Sequence, residues 1–399
     1  MELDANEVTR ARAETPGCAH VLHFNNAGAA LMPQPVLAAV VQHLELEAAG
    51  GGYEAAQQRS AELEGVYRAA ARLLGCRPHE IAIIENATRA WDMVFYSLLF
   101  RPGDRILTSQ AEYASNFLAY LQVSRRTGAQ VEVVPSDDYG QVSLAALQDM
   151  LDPHVKLIAI THVPTNGGLV NPAAKIGAIA RDAGIPFLLD ACQSVGQMPV
   201  DVQAIGCDFL SATGRKYLRG PRGTGLLYVR EDWLDRLEPV FLDLHAATWV
   251  APGEYEVRRD ARRFENWKTN VAGKLGLGVA INYALGWGLD RTYARIVKLA
   301  LRLREQLDQI PGIHVCDIGQ EHCGIVSFNA ATADARAIQR HLSTGKINVS
   351  VSPAQYTLLD MVARGLESVV RASVHYYNTE AEVDRFCVDM AKLARSAHA

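Results

Sequence analysis

The chain has 399 residues, 49% of them apolar and 21% charged, and its 39 basic and 44 acidic side chains leave a net charge of −5. That composition excludes a disordered or collagen-like chain, and a core of this size needs neither disulfides nor metals for stability. The acidic balance argues against a nucleic-acid or membrane-surface role, so small molecules are the expected partners.

Residues 1–20 read as an N-terminal arm. Residues 33–49 form the first long helix, with Val36, Val40 and Leu44 at helical spacing and three glycines as its stop. Residues 55–74 form a second amphipathic helix ended by Gly75, and 81–84 a short apolar strand. From there strands and helices alternate. Strands are expected at 105–108, 130–134, 157–162, 185–189, 209–212 and 225–229, and helices at 90–99, 116–127, 144–151 and 172–183. Continuous apolar strands between helices indicate a mostly parallel, seven-stranded sheet with helices on both faces. The stretch 241–270 is irregular and polar. Residues 273–288 are an apolar, Gly-rich helix and 289–307 an Arg-rich one. Strands at 325–328 and 369–374 and helices at 333–342 and 380–397 then suggest a smaller α/β domain. The division expected is a large domain over 21–285 and a small C-terminal domain over 286–399, with the arm packing on the latter.

Seven cysteines are scattered without a C-x-x-C pair, as in a cytoplasmic protein with reduced thiols and no metal site. Residues 1–12 are charged and lack the apolar core of a signal peptide, and no apolar run approaches the roughly 20 residues of a membrane span. The run Arg258, Arg259, Arg262 and Arg263 reads as a solvated face, and Trp91, Trp249 and Trp267 as packing residues.

In an open α/β sheet, ligands bind beyond the carboxyl ends of the strands. Polar segments follow five strands there: 86–88, 112–116, 162–168, 190–193 and 213–216. Asp190 ends one strand, and Lys216 follows the next. An acid and a lysine so placed suit pyridoxal phosphate, whose aldehyde condenses with a lysine amine and whose ring nitrogen pairs with an acid. A structural Asp–Lys ion pair would use the same two residue types, and the carboxylate alone would also suit magnesium or a ribose hydroxyl.

The segment LSATGRKYLRGPRGTGLLYV around Lys216 resembles the Schiff-base segment of the class V aminotransferase family, which includes cysteine desulfurases and selenocysteine lyases. DACQSVGQMPVDV, HFNNAGAALMP, HVPTNGGLVNPAAKI, RFENWKTN and VVRASVHYYNTEAEVDRF continue the resemblance in family order over nearly the whole chain. It implies a pyridoxal-phosphate enzyme of fold type I. Lys216 is then the Schiff-base lysine, Asp190 the partner of the ring nitrogen, and Gln193 the neighbour of the phenolic oxygen. Tyr113 takes the place of a ring-stacking histidine. Ala87, Thr88, Thr213 and Arg215 would meet the phosphate, Arg215 in place of a frequent histidine. Thr165 and Asn166 stand where a cofactor-binding asparagine is common. Arg371 would hold the substrate carboxylate, and Asn26, Ala27 and Gly28 would line the same pocket. Lys268 or Thr269 would reach the cofactor phosphate of a second subunit in a homodimer.

Desulfurases of the family carry a cysteine on the loop before that arginine. The corresponding stretch here, residues 346–370, has none, and persulfide chemistry needs a thiolate. The expectation is therefore chemistry at Cα of an amino acid, first of all β-elimination of the C–S lyase type, with transamination or epimerisation as alternatives. A nucleotide-binding α/β enzyme is the rival of a different class. It lacks support: no G-x-G-x-x-G follows a strand, no G-x-x-x-x-G-K-[ST] occurs, and GPRGTG has the wrong order. A non-catalytic scaffold would not be expected to keep both Lys216 and Asp190.

Overall fold

The computed structural model describes residues 2–396. Its main sheet has strands β1 (Ile81–Ile84), β2 (Arg105–Ser109), β3 (Gln130–Val134), β4 (Val155–Thr161), β5 (Phe187–Asp190), β6 (Phe209–Thr213) and β7 (Gly225–Val229). The spatial order is β1-β7-β6-β5-β4-β2-β3. Only β7 runs against its neighbours; the pairs β2–β3, β2–β4, β4–β5 and β5–β6 are parallel. The expected seven-stranded, mostly parallel sheet is thus present. Both of its faces are buried: Leu107, Ile158, Ile160, Leu189 and Leu210 belong to one apolar cluster, and Ile106, Leu157, Ala159, Leu188 and Phe209 to another. This explains why the strands read as unbroken apolar runs rather than alternating ones.

Two stretches differ from expectation. The polar segment after Phe241 contains an antiparallel hairpin, β8 (Ala247–Ala251) with β9 (Glu254–Val257). Its residues are largely exposed, so no apolar alternation marks it in the sequence. Trp249 is 75% exposed and Trp267 51%, so neither packs within the chain as expected, whereas Trp91 is buried against Phe95 and Tyr120. The arginine run is not a free face either. Arg263 is buried and donates to the carbonyls of Leu234, Leu237 and Arg258, while Arg258 pairs with Asp260 and Arg262 with Glu64.

A second, antiparallel sheet follows from β10 (Ile313–Val315), β11 (Ile325–Ala330), β12 (Ser350–Pro353) and β13 (Ser368–Ser373), in the order β10-β11-β13-β12. The arm helix Ala5–Ala13 is tied to the C-terminal part by Glu7–Arg291 and Arg12–Glu382 ion pairs. Leu22–His23 pairs with Ile347–Asn348, and Asn25 bridges Ser373. The first residues after the arm therefore run beside the last strand of the chain. The helix Val271–Trp287 is buried against the helices Gln34–Gly50 and Ser60–Leu74. Its glycines serve close approach within the chain: a Cβ on Gly276 would meet a Val40 methyl at 2.6 Å, and one on Gly278 a Val66 methyl at 2.8 Å. Among the described residues no helix is long and apolar enough to cross a membrane. The final helix is Glu380–Ser396; its expected extension to 397 lies outside the described residues.

Candidate active site

Because six of the seven strands share one direction, β1, β2, β4, β5 and β6 all end at the same edge of the sheet. The chain beyond them lines an open-mouthed cavity with Asn86, Ala87, Thr88, Tyr113, Asn116, Thr161, Val163, Thr165, Asp190, Cys192, Gln193, Thr213, Arg215 and Lys216. Nine of the residues expected at a cofactor site are therefore brought together by the parallel order alone.

Each wall has a local cause. Asn86 caps the helix Ala87–Phe95 by accepting from the Arg89 amide, which turns the first turn of that helix, with its unpaired N–H groups, toward the cavity. Tyr113 precedes the helix Ala114–Thr127. Asp190 is the last residue of β5. Its Oδ1 accepts from the Cys192 amide at 2.9 Å and its Oδ2 from Asn116 Nδ2 at 3.0 Å. Burial raises the Asp190 pKa, while those donors and the Lys216 charge act the other way.

Lys216 follows β6 in a tight turn. Its Nζ donates to Cys192 Sγ at 3.3 Å. Burial lowers its pKa and favours the free amine, and burial likewise raises the Cys192 thiol against ionisation. The turn is held from outside by Gly196, whose φ of +85° and contact with the backbone of Leu218 leave no space for a side chain. Arg215 donates to the Gly28 carbonyl, and Thr213 Oγ1 to the Thr224 carbonyl at 3.3 Å. Gln193 donates from Nε2 to the Ala27 carbonyl at 3.2 Å, and its Oε1 is buried without a partner among the described residues.

The remaining expected residues sit around this cavity. Arg371, on β13, is buried; Nη1 donates to the Thr165 carbonyl at 3.1 Å and to its hydroxyl, and Nε to Ser350 Oγ at 3.1 Å. Among the described residues it has no acid within ion-pair distance, and burial lowers its pKa. Asn166 turns away to Thr357 Oγ1 at 3.0 Å. Asn26 gives its amide to the carbonyls of Ser373 and His23 and receives Tyr377 OH, so its side chain is taken up by partners within the chain. Ala27 and Gly28 meet the site through their carbonyls, which anchor Gln193 and Arg215. Lys268 and Thr269 line a different cavity with Gly223, Thr224 and Lys274.

Sequence reasoning placed the segments but missed Asn86, Asn116, Thr161, Val163 and Cys192 as individual wall residues. Asn116 and Cys192 lie within the polar segments beyond the strands, where each could have been singled out. Thr161 is the last residue of β4 and looks like any buried strand residue.

These residues fit pyridoxal phosphate. A buried carboxylate with two donors, a glutamine oxygen without a partner among the described residues and a lysine with a lowered pKa face one space, and a helix start, a hydroxyl and a guanidinium lie at its rim. Fold and cavity together define a pyridoxal-phosphate-dependent enzyme of fold type I. The chain belongs to the class V aminotransferase family, whose family model, "Aminotransferase class-V", matches residues 22–386. It is 31% identical to a probable cysteine desulfurase of Methanothermobacter thermautotrophicus, over 93% of this chain and 94% of that one. It is 30% identical to another from Pyrococcus abyssi, over 96% and 97%. Among solved structures, an apo cysteine desulfurase of Thermococcus onnurineus NA1 matches with a TM-score of 0.91 at 29% identity, covering 97% of this chain and 98% of that one. The cystine C–S lyase C-DES, in complex with its product cysteine persulfide, matches with a TM-score of 0.84 at 25% identity, covering 94% and 99%.

Proposed function

We propose that this enzyme cleaves the C–S bond of a sulfur-containing α-amino acid by β-elimination. The observation that carries the reading is the buried guanidinium of Arg371, without an acid partner among the described residues and held by Thr165 on the wall that also bears Lys216 and Asp190. A buried cation without a counter-ion suits an anionic ligand group, and a guanidinium matches a carboxylate bidentately. Likeness to the cystine C–S lyase supports the sulfur substrate. The absence of a cysteine from residues 346–370 separates this chain from a persulfide-forming mechanism on that loop.

Pyridoxal phosphate, when bound, supplies an aldehyde that captures amines and a ring that accepts the electron pair left at Cα. Lys216 would hold the aldehyde, Asp190 the ring nitrogen and Gln193 the phenolic oxygen. Tyr113 would lie on the ring. Asn86–Thr88, Thr213 and Arg215 would surround the phosphate. Arg371 orients the substrate by its carboxylate and so sets which Cα bond is labile. Once the substrate amine has taken its place on the aldehyde, Lys216 Nζ, favoured as the neutral amine by burial, would take the proton from Cα. The C–S bond then breaks with both electrons going to sulfur, and the lysine returns a proton to that leaving group. The released 2-aminoacrylate hydrolyses to pyruvate and ammonia.

We propose a homodimer in the cytoplasm, with large and small domains meeting near residue 285. Leu244 (75% exposed), Trp249, Tyr255 and Trp267 are large side chains left exposed in the segment that leads to Lys268, and a second copy would cover them. Lys268 and Thr269 would then reach the partner's cofactor phosphate. The deciding experiment is product analysis with L-cystine and L-cysteine. Pyruvate with persulfide or sulfide supports β-elimination. Alanine with sulfur marks a desulfurase, and a D-amino acid or an oxo acid from amino transfer marks the other two chemistries.

A further inference from the structure

Glu112 is 3% exposed and lies between the end of β2 and the helix Ala114–Thr127. Its two oxygens accept five hydrogen bonds. Oε1 takes Tyr113 N at 2.9 Å, Asn116 Nδ2 at 2.9 Å and Thr161 Oγ1 at 2.5 Å; Oε2 takes Thr108 Oγ1 at 3.0 Å and Thr161 N at 3.2 Å. Three of these donors, two backbone amides and a side-chain NH2, cannot act as acceptors. Among the described residues, no basic group forms an ion pair with this carboxylate.

The NH2 group of Asn116 touches two carboxylates at once, Glu112 Oε1 and Asp190 Oδ2. Its amide oxygen could not occupy that place, because it would face two acceptors. We propose that Glu112 is a positioning residue for the cofactor, acting through Asn116: it aims the Asn116 NH2 at Asp190 and thereby keeps Asp190 an ionised partner for the ring nitrogen. This rests on the reading of Asp190 given above. The physical basis is local. A carboxylate with a donor on each oxygen is favoured in its charged form, and one of the two donors on Asp190 is oriented by Glu112. Replacing the Glu112 oxygen that accepts from Asn116 by a group that does not hold the NH2 in place lets Asn116 turn its oxygen toward Asp190, which would raise the Asp190 pKa and weaken its hold on a protonated ring.

The test is the solid-state 15N spectrum of the enzyme reconstituted with ring-15N pyridoxal phosphate, together with cofactor retention. In the parent the ring nitrogen should resonate as pyridinium. Glu112→Gln and Asn116→Leu should each move the signal toward neutral pyridine and weaken cofactor retention about tenfold, or about 1.4 kcal/mol. The double variant should go no further than Asn116→Leu alone, which a general loss of packing would not reproduce. Thr108→Val, which removes a Glu112 partner not connected to Asp190, should leave the signal in place. Should Glu112→Gln fail to fold, Asn116→Leu decides. A folded, loaded Asn116→Leu enzyme with the parent's 15N signal overturns the proposal while Asp190→Ala still moves it. If Asp190→Ala leaves the signal unmoved, the reading of Asp190 falls and this proposal with it.

Discussion

The Nζ of Lys216 and the Sγ of Cys192 lie 3.3 Å apart, joining the turn after β6 to the turn after β5 across the floor of the cavity. Two neighbouring parallel strands bring them together, and burial acts on both so that each is favoured in its neutral form. A neutral amine is the form that can capture an aldehyde. The thiol offers it a soft, weakly polar neighbour rather than a competing charge.

Lys216→Ala removes that amine. The variant should fold, because the side chain faces a cavity rather than the core, and it should carry no cofactor covalently attached after borohydride reduction. Mass spectrometry of the reduced protein checks this. A covalent adduct on the variant would place the reactive lysine elsewhere.

Arg371→Leu should keep the cofactor's yellow colour and lose substrate affinity. Truncating one member of a buried charged pair costs about 2–5 kcal/mol, a factor of roughly 30 to several thousand in kcat/KM at about 1.4 kcal/mol per tenfold. Steady-state kinetics on L-cystine measure it. An amine substrate lacking the carboxylate should be indifferent to the change.

His162 is buried, its Nδ1 has no partner among the described residues, and burial pulls its pKa down to about 4. The unfolded chain therefore takes up a proton that the fold refuses. Stability should fall as the pH drops from about 6.5 toward 4, by up to about 3 kcal/mol at roughly 1.4 kcal/mol per unit. Glu112 works in the opposite sense. Burial raises it to about 7, so its contribution is full below the unfolded carboxyl pKa and is lost as the pH rises through about 7. His162→Gln should narrow the gap between urea midpoints at pH 7.5 and 4.5 relative to the parent; an unchanged gap would show that His162 takes up no less acid in the fold than in the open chain.

Gly196→Ala should destabilise the protein by more than the roughly 1–2 kcal/mol of a left-handed backbone alone. Its Cβ would stand 2.5 Å from the Leu218 amide nitrogen, and backbone cannot move aside there without displacing Lys216. Thermal unfolding and cofactor occupancy should both report the change.

Much of the site was legible because parallel strands put their ends at one edge, and apolar runs reveal where those ends fall. Asp190, Gln193, Thr213, Arg215 and Lys216 were readable on that ground, with the family resemblance adding their roles. Asn26 and Asn166 show where the reading stopped. Both belong to matching segments, yet each spends its amide on another part of the chain, Ser373 in one case and Thr357 in the other. No local pattern distinguishes an amide that faces a ligand from one that faces a distant carbonyl or hydroxyl.

The same division holds for the whole molecule. Apolar periodicity and the glycine and proline stops determined by themselves that the chain makes a mostly parallel sheet covered on both faces, because burial on two sides demands unbroken apolar strands. The exposed hairpin at 247–257 escaped, since an element with little buried surface leaves no such pattern. Tertiary structure alone decided that Glu112, Asn116 and Asp190 form one buried chain of hydrogen bonds, and that Arg371, among the described residues, stands without an acid. Pairings of this kind depend on which distant strands become neighbours. Desolvation of a polar group is set by everything that packs around it, and no window of sequence contains that information.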